Sequence, residues 1–182
     1  MAVLERLGTA LARELAAASR AAGLSALQSQ IVLRLAARSP LRMTELADDL
    51  GLVPGTVSEA VAALVRKGLV RRELGSADRR QVLVSLTTEG RALAKQLGTW
   101  GALIRDALVE MPPADQAKNY SFLLRLLDRL QTVGLVPLQR MCFSCLYFRE
   151  PGYCLLLERP LAGADLRLDC PDWVRALPSP GG

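Results

Sequence analysis

Between residues 2 and 22, Leu4, Leu7, Leu11 and Leu15 recur at three- and four-residue spacing, the period of an amphipathic helix, and Gly23 ends it. Residues 25–38 ("SALQSQIVLRLAAR") continue as a second helix, stopped by Ser39 and Pro40. A shorter helix is expected over 43–50, with Leu46, Ala47 and Leu50 inward and Gly51 just past its end. Pro54 suits the first position of a fourth helix, 54–67, whose Val57, Val61 and Leu64 share one buried side. After Gly68 the period changes. "LVRRE" and "QVLVSL" are β-rich runs separated by the turn formers of "LGSADRR", which predicts a two-stranded hairpin. Thr87 is a helix N-cap with Glu89 in the first turn, opening a long helix over 88–110. "MPPAD" breaks that helix. A last one, 115–133, carries Phe122, Leu123, Leu126, Leu127 and Leu130 as a wide apolar stripe before Gly134 and Pro137 mark a boundary.

The expected fold class is therefore mainly α with a small β-hairpin. Two short helices over 43–67 followed by a hairpin over 69–86 form a helix-turn-helix with a wing, flanked by long N- and C-terminal helices. A generic small α+β domain would share this periodicity. A helix of this length fits the major groove of a duplex, and a basic hairpin reaches the neighbouring minor groove. The boundary near Pro137 divides the chain into a winged-helix domain, 1–136, and an appendage, 137–182.

Composition sharpens this picture. The 182 residues are half apolar and only 4% aromatic, which favours helix over sheet. The excess of positive charge, +5 in all, lies before residue 136, and six basic residues against two acidic ones fall between Arg66 and Arg80. Such a cluster suits phosphate contacts or a solvated helix end. Charges interrupt the first twenty residues every few positions, so neither a signal peptide nor a membrane span is expected, and the reading places the protein in the cytoplasm with its thiols reduced. The chain has no histidine, no phosphate loop and no carboxylate pair that stands out, so no enzymatic activity is expected.

The run from Met43 to Gly90 carries "ELA" in the first short helix, "TVS" at Thr56–Ser58, "L-x-x-x-GLV-R" from Leu64 to Arg71, "DRR" at Asp78–Arg80, and "LT-x-x-G" from Leu86 to Gly90. In these marks it resembles the MarR family of winged-helix transcription regulators. These marks span most of residues 24–95 in order. The resemblance implies a sequence-specific DNA-binding regulator, a repressor in preference to an activator. It also implies a homodimer formed through helices 2–22, 88–110 and 115–133, acting on a pseudo-palindromic operator of double-stranded DNA. Effectors of the family are often aromatic molecules held between the dimer helices and the winged domain, and Trp100 and Tyr120 are candidates to line such a pocket, with core packing as the alternative.

On helix 54–67 the inward set leaves Gly55, Thr56, Ser58, Glu59, Ala62 and Arg66 outward. Pro54, Gly55, Thr56 and Ser58 lie in the first turns, where short side chains reach phosphates or base edges, with a hydrogen bond to the helix's own N-terminal backbone as the alternative for Thr56. Two departures from the family stand here: Val53 occupies the place of a capping Ser or Thr, and Glu59 that of a basic residue. A carboxylate repels phosphate but accepts from a cytosine amino group. In the wing, Arg80 is the candidate for a minor-groove or phosphate contact, with Asp78 orienting it or serving as a turn residue, and Arg79 a second phosphate candidate. Arg71 and Arg72 point to opposite faces of one strand, so one of them is expected to see DNA, and Arg71 is the candidate. Arg42 and Thr44 begin the first short helix as backbone contacts.

All four cysteines, Cys142, Cys145, Cys154 and Cys170, fall in the appendage. With no histidine, a thiolate site would have to use these four. Three readings are open: a metal centre, reversible redox thiols, or ordinary buried cysteines. Between metals, a single Cys-x2-Cys, a Cys-Pro at the last position and apolar, aromatic surroundings lean to an iron–sulfur cluster over zinc. The appendage is too small for a core of its own and is expected to pack on the dimerisation helices, held by its centre. A change at that centre would then modulate DNA binding. Two other functions compete: an electron-transfer protein using the winged helix as scaffold, and a metal-stabilised protein-interaction module.

Overall fold

The computed structural model describes residues 1–75 and 81–176. The chain forms two compact units, Met1–Asp106 and Ala107–Gly182. In chain order the first contains α1 (Ala2–Ala21), α2 (Ala26–Ala37), β1 (Leu41–Arg42), α3 (Met43–Leu50), α4 (Pro54–Arg66), β2 (Val70–Leu74), β3 (Val82–Leu86) and α5 (Thr88–Leu97). A further helix, α6 (Ala102–Val109), runs across the division.

Local chemistry explains where these elements begin. The Ser25 side chain accepts from the Gln28 backbone while Gln28 returns a bond to Ser25, a reciprocal cap that opens α2. Thr87 accepts from the Gly90 backbone at 3.0 Å and opens α5 as expected. Thr87 also donates to the Gly68 carbonyl at 2.7 Å, which ties α5 to the turn after α4. A side chain at position 90 would run into the Leu69 carbonyl, so the spacing "LT-x-x-G" has a steric cause.

One apolar core holds the unit together. Ile31, Val32 and Leu35 from α2 meet Leu46 and Ala47 from α3, Val57, Val61 and Leu64 from α4, and Val84 and Leu86 from β3. Each of these large side chains stabilises the fold by roughly 1.5–3 kcal/mol when fully buried. The strands order as β1-β3-β2, all antiparallel, with Leu41 opposite Val84 and Arg72 opposite Val84 on its other edge.

Two expectations need correction. The sheet has three strands, because Leu41 and Arg42 pair with β3 ahead of α3. The helix expected over 88–110 is broken: α5 stops at Leu97, residues 98–101 form turns, and α6 resumes at Ala102. Gly98 and Gly101 bracket the break, each costing a helix about 1 kcal/mol relative to alanine. Within it the Thr99 hydroxyl donates to the Gln96 carbonyl at 2.8 Å.

In the second unit α7 (Pro113–Thr132) is followed by a 3₁₀ turn at Cys142–Ser144, the two-residue strands β4 (Phe148–Arg149), β5 (Tyr153–Cys154) and β6 (Arg159–Pro160), and a 3₁₀ turn at Gly163–Asp165. Its core is Leu124 from α7 with Met141, Cys142 and Leu166, padded by Leu127, Phe143, Phe148 and Leu161. The appendage therefore shares its core with α7. The second 3₁₀ turn sits so close to that helix that a side chain at Gly163 would meet Ser121 and the Ala117 carbonyl. Among the described residues, no helix is long and apolar enough to cross a membrane.

Candidate nucleic-acid interface and a cysteine-lined cavity

Val53 precedes α4 without a side-chain cap, and Pro54 holds the first helical position, so the first turn keeps open backbone N–H groups. Pro54, Gly55, Thr56 and Glu59 are exposed along this turn and the next, and Arg66 is exposed at the far end. Val57, Val61 and Leu64 are fully buried, which fixes this exposed face. Ser58 and Ala62 are half-buried. Arg42 and Thr44 are exposed at the start of α3, where the Arg42 backbone N–H donates to the Glu45 carboxylate at 2.9 Å.

The basic cluster divides by task. Lys67 donates to the Gly23 carbonyl at 2.7 Å and to Gln28 at 3.1 Å, tying α4 to the start of α2. Arg71 donates to Ser85 at 2.9 Å and pairs with Glu73 at 2.9 Å. Arg72, on the other face of β2, donates to the Ser58 carbonyl at 2.8 Å and so stands beside α4. Of the two arginines, the structure brings Arg72 to the outward helix, while Arg71 is engaged within the sheet. The sequence favours Arg71; strand alternation separates the two faces without telling which one meets α4. Asp78, Arg79 and Arg80 lie outside the described residues.

Trp100 is half-buried in the turn between α5 and α6, and Tyr120 is exposed on α7. The first unit holds a cavity of about 380 Å³ lined by Leu35, Ser39, Leu86, Arg91, Ala94 and Lys95.

The four cysteines come together in the second unit. The Cys142 N–H donates to the Arg167 carbonyl at 3.2 Å, and the Arg167 N–H donates back to Cys142 Sγ at 3.3 Å. The Cys170 N–H reaches the Arg140 carbonyl at 3.3 Å, and Leu146 N–H the Val174 carbonyl at 2.8 Å. Residues 167–176 thus run back along 140–146 and carry Cys170 to the Cys142–Cys145 turn. Trp173 fastens the return by donating to Ser144 Oγ at 3.0 Å, with Arg140 stacked on its ring. Cys154 arrives on β5, paired with Phe148. All four line one cavity of about 70 Å³, walled by Phe148, Leu157 and Leu161. All four are free thiols. Burial holds the Cys142 thiol above its ordinary pKa, opposed by the Arg167 N–H and reinforced by the other three cysteines. Among the described residues, no three histidine, cysteine, aspartate or glutamate side chains converge as ligands of one metal ion do.

A helix-turn-helix followed by a hairpin and flanked by helices defines the chain as a winged-helix protein. Residues 24–82 match the MarR family model, and the fold is that of MarR winged-helix structures. FabT from Streptococcus pneumoniae, solved in complex with DNA, superposes with a TM-score of 0.62 at 21% identity, covering 72% of this chain and 94% of its own. Wild-type MarR from E. coli gives 0.56 at 23% identity, covering 69% and 93%. A probable transcriptional regulator from Pseudomonas aeruginosa gives 0.51 at 29% identity, covering 66% and 92%. No curated protein matches the chain by sequence.

Proposed function

We propose that the chain is a transcriptional regulator, a repressor, that binds double-stranded DNA as a homodimer. In this reading α4 enters the major groove of each half-site and the wing lies over the adjacent minor groove. The observation that carries it is the outward face of α4. Gly55, Thr56, Glu59 and Arg66 are exposed along a helix about 20 Å long. Arg72 is held at its side through Ser58. FabT, which shares the fold, was solved in complex with DNA, which supports duplex binding here.

Dimer formation is supported by apolar surface left uncovered in the single chain. Leu4, Leu7 and Leu11 are exposed on α1, and Phe122 and Leu123 on α7. Side chains of this kind are seldom left in water unless they serve an interface. A two-fold axis would set two copies of α4 one helical turn of DNA apart, so the site is a pseudo-palindrome.

The cysteine tail modulates this binding. Ala117, Ser121 and Leu124 fall on one side of α7 and meet the tail, whereas Phe122 and Leu123 fall on another side, available to a second copy. A change at the cysteines would thereby reach the helix on which the dimer depends. Selection of duplexes from a random pool tests the reading. The expected result is an inverted repeat bound with steep salt dependence. Equal affinity for all duplexes, or a monomer at working concentration, contradicts it.

A further inference from the structure

We propose that Cys142, Cys145, Cys154 and Cys170 together hold an iron–sulfur cluster rather than a single zinc ion. This rests on the reading of the tail as the seat of a controlling centre, and it identifies the chemistry of that centre.

Geometry carries the choice. A single zinc ion binds four thiolates at about 2.3 Å in a tetrahedron, which sets the sulfurs about 3.8 Å apart and leaves no space among them. In this protein the four cysteines instead share the lining of a cavity of about 70 Å³. That is several times the roughly 10–15 Å³ that one water requires. No three of them form a group that could hold a single metal ion. An iron–sulfur core places several irons and sulfides inside the ring of thiolates, so its ligands must stand apart around a void. A cavity walled by four cysteines has that form.

The surroundings agree with it. Phe148, Leu156, Leu157 and Leu161 supply the apolar part of the lining, beside Asp165, Arg167 and Asp172. The Arg167 backbone N–H points at Cys142 Sγ. A hydrogen bond of this kind to a ligand sulfur stabilises its negative charge and tunes the cluster. The ligands also come from three separate pieces of backbone: the 3₁₀ turn with the residue after it, β5, and the returning segment that carries Cys170. No paired two-cysteine knuckles of the sort common to zinc ribbons are present among the described residues.

The full chain is to be purified without oxygen and a portion reconstituted with ferrous iron, sulfide and a thiol reductant. The expected preparation is brown, with visible charge-transfer absorption. It should contain iron and acid-labile sulfide in equal amounts, at more than one iron per chain. Cys154→Ser should lose most of the iron. Should that variant fail to fold, the metal and sulfide content of the unaltered chain still decides the matter. One zinc per chain without labile sulfide, or one cobalt per chain with a tetrahedral thiolate spectrum after cobalt addition, overturns the proposal. So does a colourless chain whose four thiols interconvert with disulfides. Duplex binding by the same preparation separates the two readings. Specific binding without a cluster overturns only the cluster, and a cluster without specific binding overturns only the proposed regulator.

Discussion

Among the described residues, the first unit buries fifteen apolar side chains in one cluster, whereas the second buries four, and one of those is Cys142. The first unit's core draws on four helices and three strands with complementary periodicity. The second has one helix, three strands of two residues each and two 3₁₀ turns around a cavity. The contrast bears on what each needs in order to fold. A core of fifteen is ample for a unit of about a hundred residues. A core of four around a space lined by thiols is small, and the cluster proposed above would complete it.

Stripping the centre should break the comparison most sharply. Chelation, or Cys142→Ser, is expected to bring the amides of the second unit close to unfolded-chain rates in hydrogen exchange while α2 to α4 keep their protection. Equal loss in both units would show that they stand or fall together. Leu64→Ala should act in the opposite sense, costing the first unit about 2–5 kcal/mol in denaturant unfolding and leaving bound metal unchanged. Gly163→Val, which places a side chain against Ser121 and the Ala117 carbonyl, should destabilise only the second unit, by about 1–3 kcal/mol. Arg66→Ala should weaken DNA binding across sequences and lower the salt slope by about one. The smallest effect belongs to Arg72→Ala. Its bond to the Ser58 carbonyl is worth about 0.5–1.5 kcal/mol in holding β2 against α4, measurable in thermal unfolding.

The same contrast governs what could be read from the residues. Helices α2 to α4 were legible because their apolar positions repeat over two or more turns and their ends carry Ser25, Gly51 and Pro54. Strand β1 was not, since two residues cannot display a period of two. The break at 98–101 was signalled by Gly98 and Gly101, but the surrounding helix formers outweighed them. At the candidate interface, Val57, Val61 and Leu64 fixed which face of α4 is outward. Periodicity told that Arg71 and Arg72 oppose each other, yet only the register with Val84 and Ser85 set Arg72 beside α4. In the tail the four cysteines announced a shared site by their exclusive clustering. Their meeting depends on backbone pairing between 140–146 and 167–176, which leaves no periodic trace. The burial of Leu124, outside the stripe expected on the last helix, follows from the tail's seat on α7 and was hidden for the same reason.

The central claim is that α4 reads duplex DNA in two symmetric copies. The most direct measurement is the affinity of the purified chain for its selected inverted repeat against scrambled duplex at physiological salt. The account predicts a preference of about a thousandfold or more, lost when the half-sites are moved apart by half a helical turn. Indistinguishable affinities for repeat, respaced repeat and scrambled duplex would contradict it.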